Sequence, residues 1–177
     1  MLKKILIGLA AAIAIFLIVV AMQPDTYQVT RKATIAAEPA KVFALVNDFH
    51  EWTKWSPWEK LDPNMTRTFG GPEGGGTGAT YAWKGNSDAG SGQMTVTESR
   101  PAERVGIKLE FIEPFASVAD TVFAFTPNGG ATEVQWTMSG DHNFISKAMC
   151  LFVSMDKMVG PDFEKGLAQM KTVAEAR

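Results

Sequence analysis

Hydrophobic and polar positions along this chain fall into four regimes. Residues 5–22, ILIGLAAAIAIFLIVVAM, carry no charged or polar side chain, and as a helix they would span about 27 Å, close to the hydrocarbon thickness of a bilayer. Residues 27–36 then alternate, with Tyr27, Val29, Ala33 and Ile35 on one face and Gln28, Thr30, Lys32 and Thr34 on the other. That period of two predicts a half-buried strand. Arg31 falls on its apolar face. Two short helical patterns come next. Pro39 opens the first, at a position where a missing N–H costs nothing, and Val42, Phe43, Leu45 and Val46 form its stripe. Asp48 caps the second, which carries Phe49, Trp52 and Trp55 and ends at Ser56-Pro57.

From Met65 onward the pattern is one of short strands separated by turn residues. Residues 65–70, 77–84, 93–99, 104–112, 117–126 and 131–139 read as six strands, with a glycine-rich loop at 70–78 and turns at 85–92, 101–103 and 113–114. The sequence PNGG at 127–130 is a hairpin signal, because Asn-Gly tolerates the positive φ of a tight turn. Connections this short predict an antiparallel meander. The tail is helical. Residues 144–158 are apolar nearly all round, and Gly160-Pro161 should break or kink the helix. A second helix over 161–176 places Phe163, Leu167, Met170 and Ala174 on one face.

The apolar N-terminus divides the chain into residues 1–23, a membrane anchor, and 24–177, one domain with a sizeable core. A cleaved secretory signal is the rival, but such cores run only about 7–15 residues. Lys3 and Lys4 keep the N-terminus in the cytoplasm, and the domain is expected on the outer, periplasmic side of a bacterial inner membrane. Arg31 and Lys32, beyond the apolar run, are what a cytoplasmic domain would rest on. Without the two N-terminal lysines the chain has 15 basic residues against 19 acidic ones, which argues against nucleic-acid partners. Cys150 is the only cysteine and sits in an apolar run.

The order of strand, two short helices, antiparallel strands and C-terminal helix resembles the helix-grip fold of START and pollen-allergen-like proteins. VFALVNDFHEWTKWSPWEKLDP at 42–63, GPEGGGTGATYAWKGN at 71–86 and MDKMVGPDFEKGLAQMK at 155–171 are similar to the polyketide cyclase/dehydrase-type branch of the SRPBCC superfamily. The resemblance implies an α+β fold, a curved antiparallel sheet wrapped around a C-terminal helix, here preceded by a transmembrane helix. It implies an apolar cavity for sterols, polyketides, quinones or other lipids. It does not imply a reaction, since members include enzymes, carriers and regulators.

Candidate chemistry is thin. The glycine loop lacks the Gly-Lys-Ser/Thr of a phosphate-binding loop and precedes a strand instead of a helix; it reads as a rim of the cavity mouth or as a plain solvent loop. Ser154 and Lys157 match S-x-x-K, but no Lys-Thr-Gly accompanies them. His50, His142 and Cys150 do not fall at zinc-ligand spacing, and no metal or cofactor is expected. Trp52, Trp55 and Trp58 read either as packing for the helix pair or as residues at a membrane interface. Inward parity nominates Tyr81, Trp83, Met94, Phe111, Trp136, Phe163, Leu167 and Met170 for a cavity lining, with Trp58 beside them. The same parity would serve a solid core. Tyr81 and Arg31, with Asn86 behind them, are the polar groups nominated to orient a ligand or act as acid and base. The expected function is binding of a small hydrophobic molecule. The alternatives are a cyclase or dehydratase using the same cavity, and a protein-interaction module.

Overall fold

The computed structural model describes residues 1–176. Helix α1 (Leu2–Ala21) is apolar throughout, long enough to cross a membrane, and exposed except at Val20. Four residues separate it from β1 (Thr26–Ile35). Helix α2 (Pro39–Asn47) and two 3₁₀ turns, Phe49–Lys54 and Pro57–Lys60, follow. Then come β2 (Thr66–Gly70), β3 (Thr80–Lys84), β4 (Ser91–Arg100), β5 (Arg104–Glu113), β6 (Ser117–Asn128) and β7 (Ala131–Asp141). Helices α3 (Phe144–Cys150) and α4 (Met155–Glu175) end the chain. The seven strands form one antiparallel sheet in the order β1-β7-β6-β5-β4-β3-β2. It is a meander from β2 to β7, with β1 added to the edge of β7. Register shifts in β4, at Ser91/Gly92 and Val96/Glu98, mark bulges that bend the sheet. This is the helix-grip fold.

Helix α4 lies along β1 and is tied to it at both ends. Lys171 Nζ donates to the Thr34 carbonyl (3.0 Å), and the Ala36 N–H donates to Glu175 (2.7 Å). Near the start of α4, Arg31 donates from Nε to Glu164 (2.7 Å) and from Nη1 and Nη2 to the two oxygens of Asp156 (2.7 and 3.1 Å). Asp156, Gly160 and Glu164 are spaced one turn apart on a single stripe. The guanidinium lies directly on Gly160, where a Cβ would come within 2.0 Å of Nη2. The inward parity of Arg31 is therefore real, but it belongs to an edge strand whose side chain reaches over the helix.

That clasp bears on the break expected at Gly160-Pro161. Helix α4 runs through Pro161 without interruption, and the tail divides instead at 151–154. Each helix has a side-chain cap at its start. Asn143 accepts from the Ser146 N–H at the start of α3, and Ser154 accepts from Lys157 N–H at the start of α4. Pro161 has no N–H to give the Lys157 carbonyl, yet the Arg31 ion pairs join the turn before it to the turn after it. The β6–β7 hairpin also differs by one residue from expectation. Asn128 still pairs with Ala131, so the two turn residues are Gly129 and Gly130, at φ +57° and +84°.

The end of α2 explains two of the tryptophans. A helix leaves its last four carbonyls unpaired. Here the Asp48 N–H serves Ala44 (3.4 Å), Trp55 Nε1 serves Leu45 (2.7 Å), Trp52 Nε1 serves Val46 (3.0 Å), and the Gly76 N–H serves Asn47 (3.1 Å). Trp52 and Trp55 are buried, so they fill the core and cap the helix together. The glycine-rich loop works at this same place. Gly75 sits at φ +83°, and a Cβ there would lie 2.1 Å from the Asn47 carbonyl oxygen. The loop thus closes on α2, and none of its residues rims the cavity.

Candidate functional site

A cavity of about 330 Å³ lies between the concave face of the sheet, the 3₁₀ turns and the first turns of α4. Its position follows from side-chain size along rows of the sheet. One row runs Tyr81, Met94, Leu109, Ala119, Gly140, Tyr27. Ala119 and Gly140 take little room in the middle of that row, and the Tyr27 ring, which lines the cavity, lies against Gly140, where a Cβ would come within 2.8 Å of the phenol oxygen. Another row, Val105, Phe123, Trp136, is bulky and buried, and it seals the cavity on one side. Trp136 stacks on Phe163 of α4 at 3.9 Å and 9°, while Trp58 meets both edge-on. On the opposite side the Trp83 ring spreads over Gly92, with its indole N–H donating to the Ala89 carbonyl (3.0 Å). Phe111 stands edge-on to Trp83 and is 37 % exposed, marking the mouth.

Seven of the nine residues nominated for the lining stand on this wall: Trp58, Tyr81, Trp83, Met94, Phe111, Trp136 and Phe163. Leu167 and Met170 do not. They lie one and two turns further along α4 from Phe163, in the sealed part of the core, and both are fully buried. Arg31 is absent from the wall because its head is held by Asp156 and Glu164 on α4. Those carboxylates, Asp156 first, push the guanidinium pKa further up. Asn86 is absent too: its side chain accepts from the Asp88 and Ala89 N–H groups and organises the β3–β4 turn.

The polar group on the wall is one that parity did not nominate as a partner for Tyr81. Tyr81 Oη donates to Glu59 Oε1 at 2.6 Å. Glu59 Oε2 accepts from Arg67 Nε at 2.6 Å, and Arg67 also donates to the Glu59 and Met65 carbonyls (3.1 and 3.0 Å). The Glu59 side chain is only 6 % exposed. Burial first, then the Glu59 carboxylate, push the Tyr81 phenol well above its usual range, and Glu59 likewise raises Arg67. The phenol proton is committed to the carboxylate, so Tyr81 offers a guest its oxygen lone pairs and little acidity. Ser56 and Thr121 place buried hydroxyls on the same wall, and Asp162 and Ser117 are also among its polar residues. Trp136 Nε1 is buried without a hydrogen-bond partner. A proline-initiated 3₁₀ turn positions Glu59, and its i+8 relation to Arg67 across a turn carries no sequence period that would have signalled the pair.

Among the described residues no three His, Cys, Asp or Glu side chains gather as a metal site. The fold does bring His142 Nε2 to 3.9 Å from Cys150 Sγ, which the spacing did not suggest.

Comparison with known proteins adds a family and a set of folds. The profile of a family described as "Polyketide cyclase / dehydrase and lipid transport" matches residues 26–175. No curated protein matches the chain by sequence. Among solved structures, protein CV1439 from Chromobacterium violaceum is 15 % identical with a TM-score of 0.58, covering 88 % of this chain and all of that one. The Aha1 dimer from Colwellia psychrerythraea is 18 % identical with a TM-score of 0.55, covering 85 % of this chain and 95 % of that one. The di-domain ARO/CYC BexL from the BE-7585A biosynthetic pathway is 15 % identical with a TM-score of 0.62, covering 90 % of this chain and 53 % of that one. At these identities the likeness is one of fold.

Proposed function

We propose a function from this premise: the chain belongs to the polyketide cyclase/dehydrase and lipid-transport family, and its cavity holds a small hydrophobic molecule without changing it covalently. The guest is lipid-, isoprenoid- or polyketide-like, and α1 anchors the domain to the inner membrane, on its periplasmic side. The observation that carries this reading is the hollow between sheet and α4. About 330 Å³ is at the lower end of small-molecule pockets. At about 30 Å³ for a group the size of a water molecule, it has room for roughly eleven such groups. Its walls are mostly aromatic and aliphatic, and among their polar groups Glu59 and Tyr81, with Arg67 behind them, form one hydrogen-bonded device. Tyr81 and Glu59 accept hydrogen bonds there, so the guest best suited is amphipathic, with a hydroxyl or other donor at one end.

Native mass spectrometry of the detergent-extracted chain tests this directly. A co-purifying small molecule, or uptake of about one equivalent of a fluorescent fatty acid, is the expected result. Absence of both would remove the reading. The intact mass of the same sample reports whether α1 is retained.

An enzymatic reading, cyclase or dehydratase chemistry through Tyr81, draws on the Tyr81–Glu59 hydrogen bond inside an apolar wall. General acids work best with a pKa near the working pH, and Tyr81 is pushed the other way. Binding is therefore the stronger reading. A time-dependent change in a bound guest that disappears in Tyr81→Phe, while binding survives, would reverse that preference.

A further inference from the structure

Strand register separates two ends of the domain. Thr26 pairs with Asp141, so α1, the start of β1, the end of β7 and α3 share one end. Ser91 pairs with Glu113, which puts the β3–β4 and β5–β6 turns at that end too. The other end carries the Gly129-Gly130 hairpin, the turn between Arg100 and Arg104, and the glycine loop. Their surfaces differ. Large exposed hydrophobic side chains gather at the α1 end: Ile112 and Phe115 in and beside the β5–β6 turn (60 % each), Phe144 and Ile145 on α3 (52 and 55 %), and Phe152 and Val153 after it (80 and 44 %). At the other end the exposed residues include Arg100, Glu103 and Asn128, and among the described residues no large exposed hydrophobic side chain lies there.

The cavity opens toward the apolar end. Ala89, Phe111, Ser117 and Met155 line it there, while Trp136 and Phe163 close it below. The tether to α1 is short and fixed. Residues 22–25 can span at most about 14 Å, the His142 N–H donates to the Asp25 carbonyl (2.7 Å), and Lys147 on α3 pairs with the Asp25 carboxylate. Helix α1 also touches α3. A domain held this close to a spanning helix cannot keep those six side chains away from the bilayer surface.

We propose that this end of the domain is seated in the surface of the bilayer that α1 crosses, so that the cavity mouth opens onto lipid. A guest dissolved in the membrane then enters the cavity without passing through water. The inference rests on the proposed reading of α1 as a retained anchor and of the cavity as the binding site. Aromatic and aliphatic side chains on a short helix and an adjacent turn are suited to burial among headgroups and upper acyl chains, and exposed patches of this kind mark contact surfaces. The occupant argued for is lipid, because continuity with α1 places lipid there.

The test uses the full chain in phosphatidylcholine vesicles, in a Cys150→Ser background checked by circular dichroism. Single cysteines at Phe115→Cys, Phe152→Cys and, as control, Asn128→Cys carry an environment-sensitive nitrobenzoxadiazole label. Labels at 115 and 152 are expected to emit to the blue and to be quenched by lipids with brominated acyl chains; the label at 128 should show neither effect. Water-like emission at 115 and 152 would overturn the proposal. So would blue emission that brominated lipid leaves unquenched, since another protein surface, such as a second copy, would then cover the face. Uptake of a fluorescent fatty acid by the same samples separates the two ideas. Uptake with unquenched labels keeps the cavity and overturns the docking; quenched labels without uptake keep the docking and overturn the cavity. Replacing both aromatics, Phe115→Glu with Phe152→Glu, should slow fatty-acid transfer out of vesicles severalfold and leave equilibrium binding in detergent unchanged. Unchanged transfer would also count against it.

Discussion

Replacing Arg67 with methionine would strip a counter-ion from the Glu59 carboxylate buried in the cavity wall. In the native protein Glu59 is served on both oxygens, by Tyr81 and by Arg67, each at 2.6 Å. Arg67→Met leaves the stem of the side chain and removes three donations, one to the carboxylate and two to the Glu59 and Met65 carbonyls. Breaking a buried pair from one side costs about 3–5 kcal/mol, because the remaining charge is stranded. Arg67 is 25 % exposed, so water can reach part of the vacated space, and about 2–3 kcal/mol is the expected loss after that discount. Replacing Glu59 with methionine as well removes the stranded charge. The double variant should then recover to within about 1 kcal/mol of the native protein, minus the hydrogen bond Tyr81 loses. Urea unfolding in a mild detergent, followed by tryptophan fluorescence, measures both. With slopes of about 1–3 kcal/mol/M, the single variant should lower the midpoint by roughly 1–2 M. A single variant that costs under about 0.5 kcal/mol, or a double variant as unstable as the sum of the two singles, would refute the idea of a desolvated, mutually dependent pair.

Three further outcomes are expected. Trp55→Phe keeps most of the apolar area but strands the Leu45 carbonyl; a loss of about 1–3 kcal/mol in urea unfolding is expected, and a near-neutral result would mean that the indole N–H does not matter. Gly166→Ala places a Cβ 2.9 Å from Trp136 Cζ3 and 3.3 Å from Pro57. Overpacking of about 1–3 kcal/mol outweighs a helix-propensity gain of about 1 kcal/mol, and Trp136 should be driven toward the cavity, weakening fatty-acid uptake; unchanged uptake would argue that α4 simply moves away. The Arg31 clasp should loosen in acid. Its hydrogen bond holds the Asp156 pKa below the unfolded value of 3.8, so the stabilisation is present above that value and is lost as pH falls through the lower, folded one. Native Asp156, compared with Asp156→Asn by amide exchange in the first two turns of α4, should lose protection as pH falls below about 4, a step that is smaller in the variant, where only Glu164 still holds Arg31; identical profiles would dismiss the linkage.

The strands, the capping of the second short helix by Asp48 and the inward parity of most lining residues were legible because each is a local, periodic property. Parity fails where a neighbour decides the outcome. Arg31 has inward parity on β1, and only its position at the sheet edge beside α4 turns it outward to Asp156 and Glu164. Leu167 and Met170 share a helical face with Phe163, but nothing in a period of 3.6 says where along α4 the hollow stops. Pro161 reads as a helix break because the compensating contact comes from residue 31, far away in sequence. The glycines of 71–78 read as a free loop because the carbonyl of Asn47 they close upon lies in another element. Glu59 was hidden for the same reason: its partners Tyr81 and Arg67 sit on strands, and a carboxylate in a short turn looks solvated until the fold covers it.

The recess in the sheet makes chamber depth depend on very little matter. At position 140 a single hydrogen stands where any other residue would put a carbon, and that carbon would meet the Tyr27 ring at 2.8–3.0 Å. Lifting the ring would press it toward the cavity that Tyr27 lines, while the other aromatic walls kept their identity. Position 140 thus sets how low the Tyr27 ring can lie, although neither it nor Ala119 beside it reaches the cavity surface itself.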